Sequence, residues 1–255
     1  YDGAMKPSLF ILTGASRGMG LAMARQLLAA GHTVIGLSRA VNPALADEAA
    51  ACGARLEQWP VDLADAPAAA VQLTTWLRAQ APDAYASATL INNAGVIPRI
   101  GPLSDADPVD LAHALRVGLE APMALTAAFL GATAHWRGPR KVLNISSGLG
   151  RRAMASQAGY CAAKAGLDHF TRCLALDEAL KPHGARVCSL APGVIDTDMQ
   201  VQLRGADPVA FPDRAAFTGM KDKGQLTSPD EAAARVLAYL NRPDFGDNPV
   251  ADVRD

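Results

Sequence analysis

Short apolar runs rich in β-branched residues alternate along the chain with longer stretches whose apolar positions recur at helical spacing. The runs at residues 9–12, 33–37, 56–61, 89–91, 142–145, 186–190 and a weaker 250–253 predict strands. Between them, residues 19–30, 43–51, 66–79, 108–133, 158–180 and 229–240 predict helices. Gly31, Gly53 and Gly184 follow helical runs, where a left-handed stop is expected, and Pro108 and Pro229 occupy first-turn positions that tolerate proline. Strict alternation implies an α/β, doubly wound, mostly or wholly parallel sheet of about seven strands, with helices on both faces. Ligands of such sheets bind beyond the carboxyl ends of the strands, so chemistry is expected in the loops that follow them. No composition break or repeat divides residues 6–255, which predicts one domain; residues 1–4, ahead of Met5, read as an added remnant. Residues 193–227 show no clear periodicity and are expected to form a substrate lid or binding loop.

Composition narrows the classes. Lys and Arg total 24 against 25 Asp and Glu, so no basic excess draws the chain to nucleic acid or to an anionic membrane. No apolar run approaches the roughly 20 residues of a membrane helix. The four cysteines, Cys52, Cys161, Cys173 and Cys188, form no C-x-x-C pair, which suits reduced thiols and a cytoplasmic setting. The five histidines lack metal-ligand spacing, so no metal is expected, and no G-x-S-x-G supports a serine hydrolase.

Two stretches carry candidate chemistry. The first strand runs into Thr13-Gly14-Ala15-Ser16-Arg17-Gly18-Met19-Gly20 and then a helix. Glycines there let backbone N–H groups approach a pyrophosphate, and the helix N-terminus adds partial positive charge. The second strand ends in Ser38-Arg39, where an NAD enzyme usually carries Asp or Glu for the ribose 2′-hydroxyl. A hydroxyl with Arg17 and Arg39 suits a 2′-phosphate, which places NADP(H) ahead of NAD(H). The fifth strand leads to Ser146-Ser147, followed by Tyr160 and, four residues on, Lys164. Residues i and i+4 share a helix face, so an ammonium can lie beside the phenol. Lys164 and the cationic ring of an oxidised nicotinamide are expected to lower the Tyr160 pKa from its ordinary value of about 10. Tyr160 then protonates a carbonyl oxygen while Ser147 donates a second hydrogen bond to it.

These segments resemble the short-chain dehydrogenase/reductase family along nearly the whole chain. The resemblance rests on TGASRGMG, Asp62-Leu63, Asn92-Asn93-Ala94-Gly95, Ser147, Tyr160, Lys164 and Pro192-Gly193-Val194-Ile195-Asp196-Thr197. It implies a Rossmann-type domain in which Asp62 and Leu63 contact adenine and Asn93, Ala94 and Gly95 line the adenosine side. It also implies that Lys164 holds the nicotinamide ribose, that Pro192 to Thr197 wrap the carboxamide, and that the protein is a homodimer or homotetramer. From Pro192 onward, Asp196-Thr197-Asp198-Met199-Gln200, Lys221 to Leu226 and the tail Val250 to Asp255 resemble the sepiapterin and benzil reductase branch. That branch implies an NADPH-dependent reductase of a small aromatic or vicinal dicarbonyl, or of a pteridine ketone. Met199 and Asp252 are its candidate substrate residues. The chain departs from the family in Val117-Gly118-Leu119-Glu120-Ala121-Pro122, where Gly118 stands at the usual Asn position of a kinked helix. Backbone carbonyls would then have to hold the water the Asn normally fixes. The departure keeps two alternatives open: a catalytically weak dinucleotide-binding sensor or scaffold, and an NAD-dependent alcohol dehydrogenase.

Overall fold

The computed structural model describes residues 6–255, so the reading of residues 1–4 lies outside the described residues. Seven parallel strands lie in the order β3-β2-β1-β4-β5-β6-β7: β1 (Leu9–Thr13), β2 (Thr33–Ser38), β3 (Leu56–Pro60), β4 (Ala88–Asn92), β5 (Arg140–Ile145), β6 (Arg186–Ala191) and β7 (Val250–Asp252). The order reverses between β1 and β4, which opens a crevice at their carboxyl ends.

The central strands are apolar on both faces because helices cover both. One apolar layer joins β1, β5 and β6 to α1 (Gly18–Ala29), α2 (Pro43–Cys52) and α9 (Pro229–Leu240). The other joins the sheet to α3 (Ala66–Arg78), α5 (Ala121–Ala132) and α6 (Ala158–Ala179). Helix starts follow the side-chain chemistry: Asn42, Asp65, Asp107 and Ser228 each cap the first turn, with proline just inside. Gly31 and Gly53 adopt the expected left-handed conformation, at φ 79° and 65°. Gly184 does not. It is glycine because a Cβ there would fall 1.9 Å from the Glu178 carbonyl oxygen.

Two sequence expectations need correction. The run Pro108–Ala132 is long and apolar enough to span a membrane, yet half of its most apolar window is buried inside the protein. It consists of α4 (Pro108–Leu115), a π-helical turn (Arg116–Glu120) and α5. The stretch expected to be irregular contains α7 (Asp198–Gly205) and α8 (Arg214–Asp222). Both are short and separated by Pro208 and Pro212, and only Leu203, Phe211 and Phe217 form their fully buried cluster. Too few apolar positions repeat to reveal a period.

Candidate active site

The carboxyl ends of the strands open onto a cleft of about 1510 Å³, and every candidate residue named from the sequence lines it. At one end lies the glycine turn. Gly14 and Gly18 have φ of 70° and 55°, and a Cβ on Gly20 would sit 2.0 Å from the Gly14 carbonyl oxygen. Only glycine closes this turn, and it leaves backbone groups bare where a phosphate can approach. Thr13 secures the neighbouring loop: its hydroxyl accepts hydrogen bonds from the Asn93 and Ala94 N–H groups at 2.9 and 3.0 Å. The Asn93 amide returns a bond to the Thr13 carbonyl at 3.1 Å. The Ser38 hydroxyl is buried without a partner, and Arg39 beside it is exposed with no ion pair among the described residues. Asp62 is turned by the Ala64 N–H, and Leu63 is buried. A bare glycine cradle and an orphaned hydroxyl at the end of β2 fit a dinucleotide.

Arg17 differs from expectation. Its guanidinium donates to Asp198, at the start of α7, at 3.0 Å, and both side chains are mostly exposed. Such a pair contributes at most about 1 kcal/mol, so a phosphate can displace the carboxylate.

In the middle of the cleft, β5 delivers Ser147 and α6 delivers Tyr160 and Lys164. Tyr160 and Lys164 are almost fully buried. The Lys164 Nζ lies 5.7 Å from the centre of the Tyr160 ring and donates to the Ile145 carbonyl at 2.7 Å. Among the protein's own groups Tyr160 is not made more acidic. Burial pushes its hydroxyl up to about 12, with the Ser147 hydrogen bond pulling the other way. Burial also lowers Lys164 to about 8, opposed by the negative charge of Asp168. In the protein alone desolvation dominates the Tyr160 hydroxyl.

Two supporting features carried no recognisable signal in the sequence. Asp168, one helical turn beyond Lys164, is buried and accepts hydrogen bonds from Ser146 and Ser189, each at 2.6 Å. Its other oxygen faces the Arg151 Nε at 3.4 Å. A buried chain of amides and hydroxyls runs Thr126–Asn92–Asn144–Thr171, tying α5 and α6 to the strand ends. The hydrogen bonds these buried groups make run to partners distant in sequence.

Gly118 lies in the π-helical turn, so the distortion persists without Asn. A Cβ there would meet the Ala163 Cβ at 3.3 Å. Because the Ile145 carbonyl already engages Lys164, Gly118→Asn is expected to leave turnover and its pH profile unchanged. A rise in turnover would show that the missing amide limits the protein.

The far end is closed by residues 193–227. Ile195 and Thr227 form a parallel bridge at the base of this segment. Met199 is half-buried on α7, and Asp252 at the end of β7 is largely covered rather than exposed. The Asp252 carboxylate receives Arg254 Nε and Nη2 at 2.7 and 2.6 Å, which holds it below the usual carboxylate range.

Comparison with known proteins agrees with this architecture. Residues 8–207 match the family model described as short chain dehydrogenase. The chain is 34% identical over 235 residues to a benzil reductase, (S)-benzoin forming, of Bacillus cereus, covering 92% of this chain and 94% of that protein. It is 30% identical to the sepiapterin reductase of Meriones unguiculatus over 266 residues, covering 100% and 99% of the two chains. A short-chain dehydrogenase/reductase from Burkholderia vietnamiensis superposes with a TM-score of 0.66 at 36% identity, over 99% of each chain. A metagenomic short-chain oxidoreductase solved with NADP gives a TM-score of 0.70 at 29% identity, over 96% of this chain and 94% of that one. The chain belongs to the short-chain dehydrogenase family. It is an oxidoreductase of a family that uses NAD(P)(H) and acts on small molecules.

Proposed function

We propose that this protein is an NADPH-dependent carbonyl reductase acting on small aromatic or vicinal dicarbonyl compounds, with Ser147, Tyr160 and Lys164 as its catalytic residues. The observation that carries the reading is the convergence of Ser147, Tyr160 and Lys164 in the middle of the cleft, with Tyr160 buried and the Lys164 Nζ 5.7 Å from the centre of its ring. When bound, NADPH supplies a hydride to the carbonyl carbon. Tyr160 gives its proton to the carbonyl oxygen, where negative charge develops, and Ser147 donates a hydrogen bond to the same atom. A phenol held near 12 keeps its proton throughout the neutral range, as a proton donor must. In this reading Ser38 and Arg39 hold the 2′-phosphate, supported by the orphaned Ser38 hydroxyl, and Arg17 joins by releasing Asp198. Asp252 is already satisfied by Arg254, which supports a diketone over a pterin as substrate.

A carbonyl panel run with both cofactors tests the reading. Turnover of benzil-type diketones with NADPH is expected; cofactor binding without turnover of any ketone would instead favour a sensor.

The reaction should also depend on pH with a definite sign. Lys164 is charged below about 8 and neutral above, so reduction that relies on its ammonium declines as pH rises through that value. Asp168→Asn removes the charge that favours the ammonium. The decline is expected to move to lower pH, by roughly one unit, in a kcat–pH profile.

A further inference from the structure

Proton transfer leaves several polar groups of the cleft unexplained. Gln157 and Gln200 are 2% and 7% exposed, and Gln157 Nε2, Gln200 Oε1 and Arg204 Nη1 are all buried without a hydrogen-bond partner. All three residues line the cleft. Gln157 lies three residues before Tyr160, one turn back along the start of α6. Gln200 and Arg204 stand one turn apart on the same face of α7.

Two contacts bring the start of α6 against the lid. Ser156, in a left-handed conformation at φ 65°, donates its hydroxyl to the Ala210 carbonyl. Met154 packs on the cluster of Leu203, Phe211 and Phe217, and Leu203 sits between Gln200 and Arg204 in sequence. The unpaired amide of Gln157 and the unpaired groups of α7 therefore belong to facing walls.

We propose that Gln157, Gln200 and Arg204 form a polar subsite that reads a second oxygen atom on the substrate, beside the carbonyl that is reduced. An amide can turn its donor end to a ligand, and a guanidinium only donates. The orphaned atoms of Gln157 and Arg204 are donors, and Gln200 joins them by turning its amide so that Nε2 rather than Oε1 faces the cleft; the partner common to all three is then an oxygen acceptor. Arg204 Nη2 lies 3.8 Å from Asp196 Oδ1, so its charge is already partly balanced. That suits a neutral carbonyl oxygen better than a carboxylate. A substrate lacking this oxygen leaves buried donors unpaired, and sites built this way discriminate strongly. The inference rests on the reductase reading and adds the residues that would make a vicinal dicarbonyl the preferred substrate.

The test compares benzil with deoxybenzoin, which lacks one of its two oxygens, as substrates of wild type and of Gln157→Leu, Gln200→Leu and Arg204→Met. Intrinsic reactivity of the two ketones is common to every variant, so the change in the ratio of their kcat/KM values isolates recognition. Each substitution is expected to lower that ratio by roughly 10-fold or more. Fluorescence titration with NADPH checks that each variant is folded and binds cofactor. A ratio that stays constant, with both substrates slowed equally or not at all, overturns the subsite. If one variant fails to fold, the other two decide. A wild type that binds NADPH but reduces neither ketone overturns the reductase reading itself, and the subsite with it.

Discussion

Tyr160→Phe is expected to lower kcat for carbonyl reduction by about 10²–10⁴-fold while leaving NADPH affinity nearly intact. The substitution keeps the aromatic body that fills the buried site beside Ser147 and Lys164, and removes only the hydroxyl. In the proposed mechanism that hydroxyl is the proton donor, and burial, which pushes it up to about 12, keeps it protonated at neutral pH. Lys164 donates to the Ile145 carbonyl, and the Ser147 oxygen accepts from the Leu149 N–H. Steady-state oxidation of NADPH, set beside a binding titration, measures both quantities. Retention of most of the activity would remove Tyr160 from the chemistry.

The second large effect concerns the end of β2. Arg39→Asp puts a carboxylate where the unpartnered Ser38 hydroxyl and an unpaired guanidinium now stand. Hydrogen bonds to a charged phosphate contribute about 1.5–3 kcal/mol each, and the new carboxylate repels the same group. The kcat/KM ratio of NADPH to NADH is therefore expected to fall by roughly 10²-fold or more. Arg17→Ala should lower it less, because Arg17 must first leave Asp198. An unchanged ratio in Arg39→Asp would move the determinant elsewhere.

The layout of strands and helices was legible because periodicity differs sharply between buried strands and half-buried helices. The glycine turn and the Ser147, Tyr160 and Lys164 set were legible because each sits at a fixed offset from a strand or along a helix. The structure gathers every residue named for the site into one cleft. What stayed hidden depends on distance in sequence. Asp168 gains meaning only when Ser146, Ser189 and Arg151 close around it. Thr13 stands in the motif, but what its hydroxyl does shows only where it meets the Asn93 and Ala94 N–H groups. Arg17 was read as a partner for a cofactor phosphate, and nothing local shows that α7 returns to it. Spacing predicted a charge beside the phenol but not how deeply both groups are buried.

The bridge between Ile195 and Thr227 bears on redesign of the span it closes. The chain leaves and rejoins the sheet-bearing body at one place, so the intervening span behaves as a cassette that can lengthen, shorten or be exchanged without disturbing strand order. Its main seam with the catalytic helix runs through Met154 and Ser156. A chimera that transplants a foreign span together with those two positions inherits the donor's selectivity while keeping the recipient's proton-delivery apparatus.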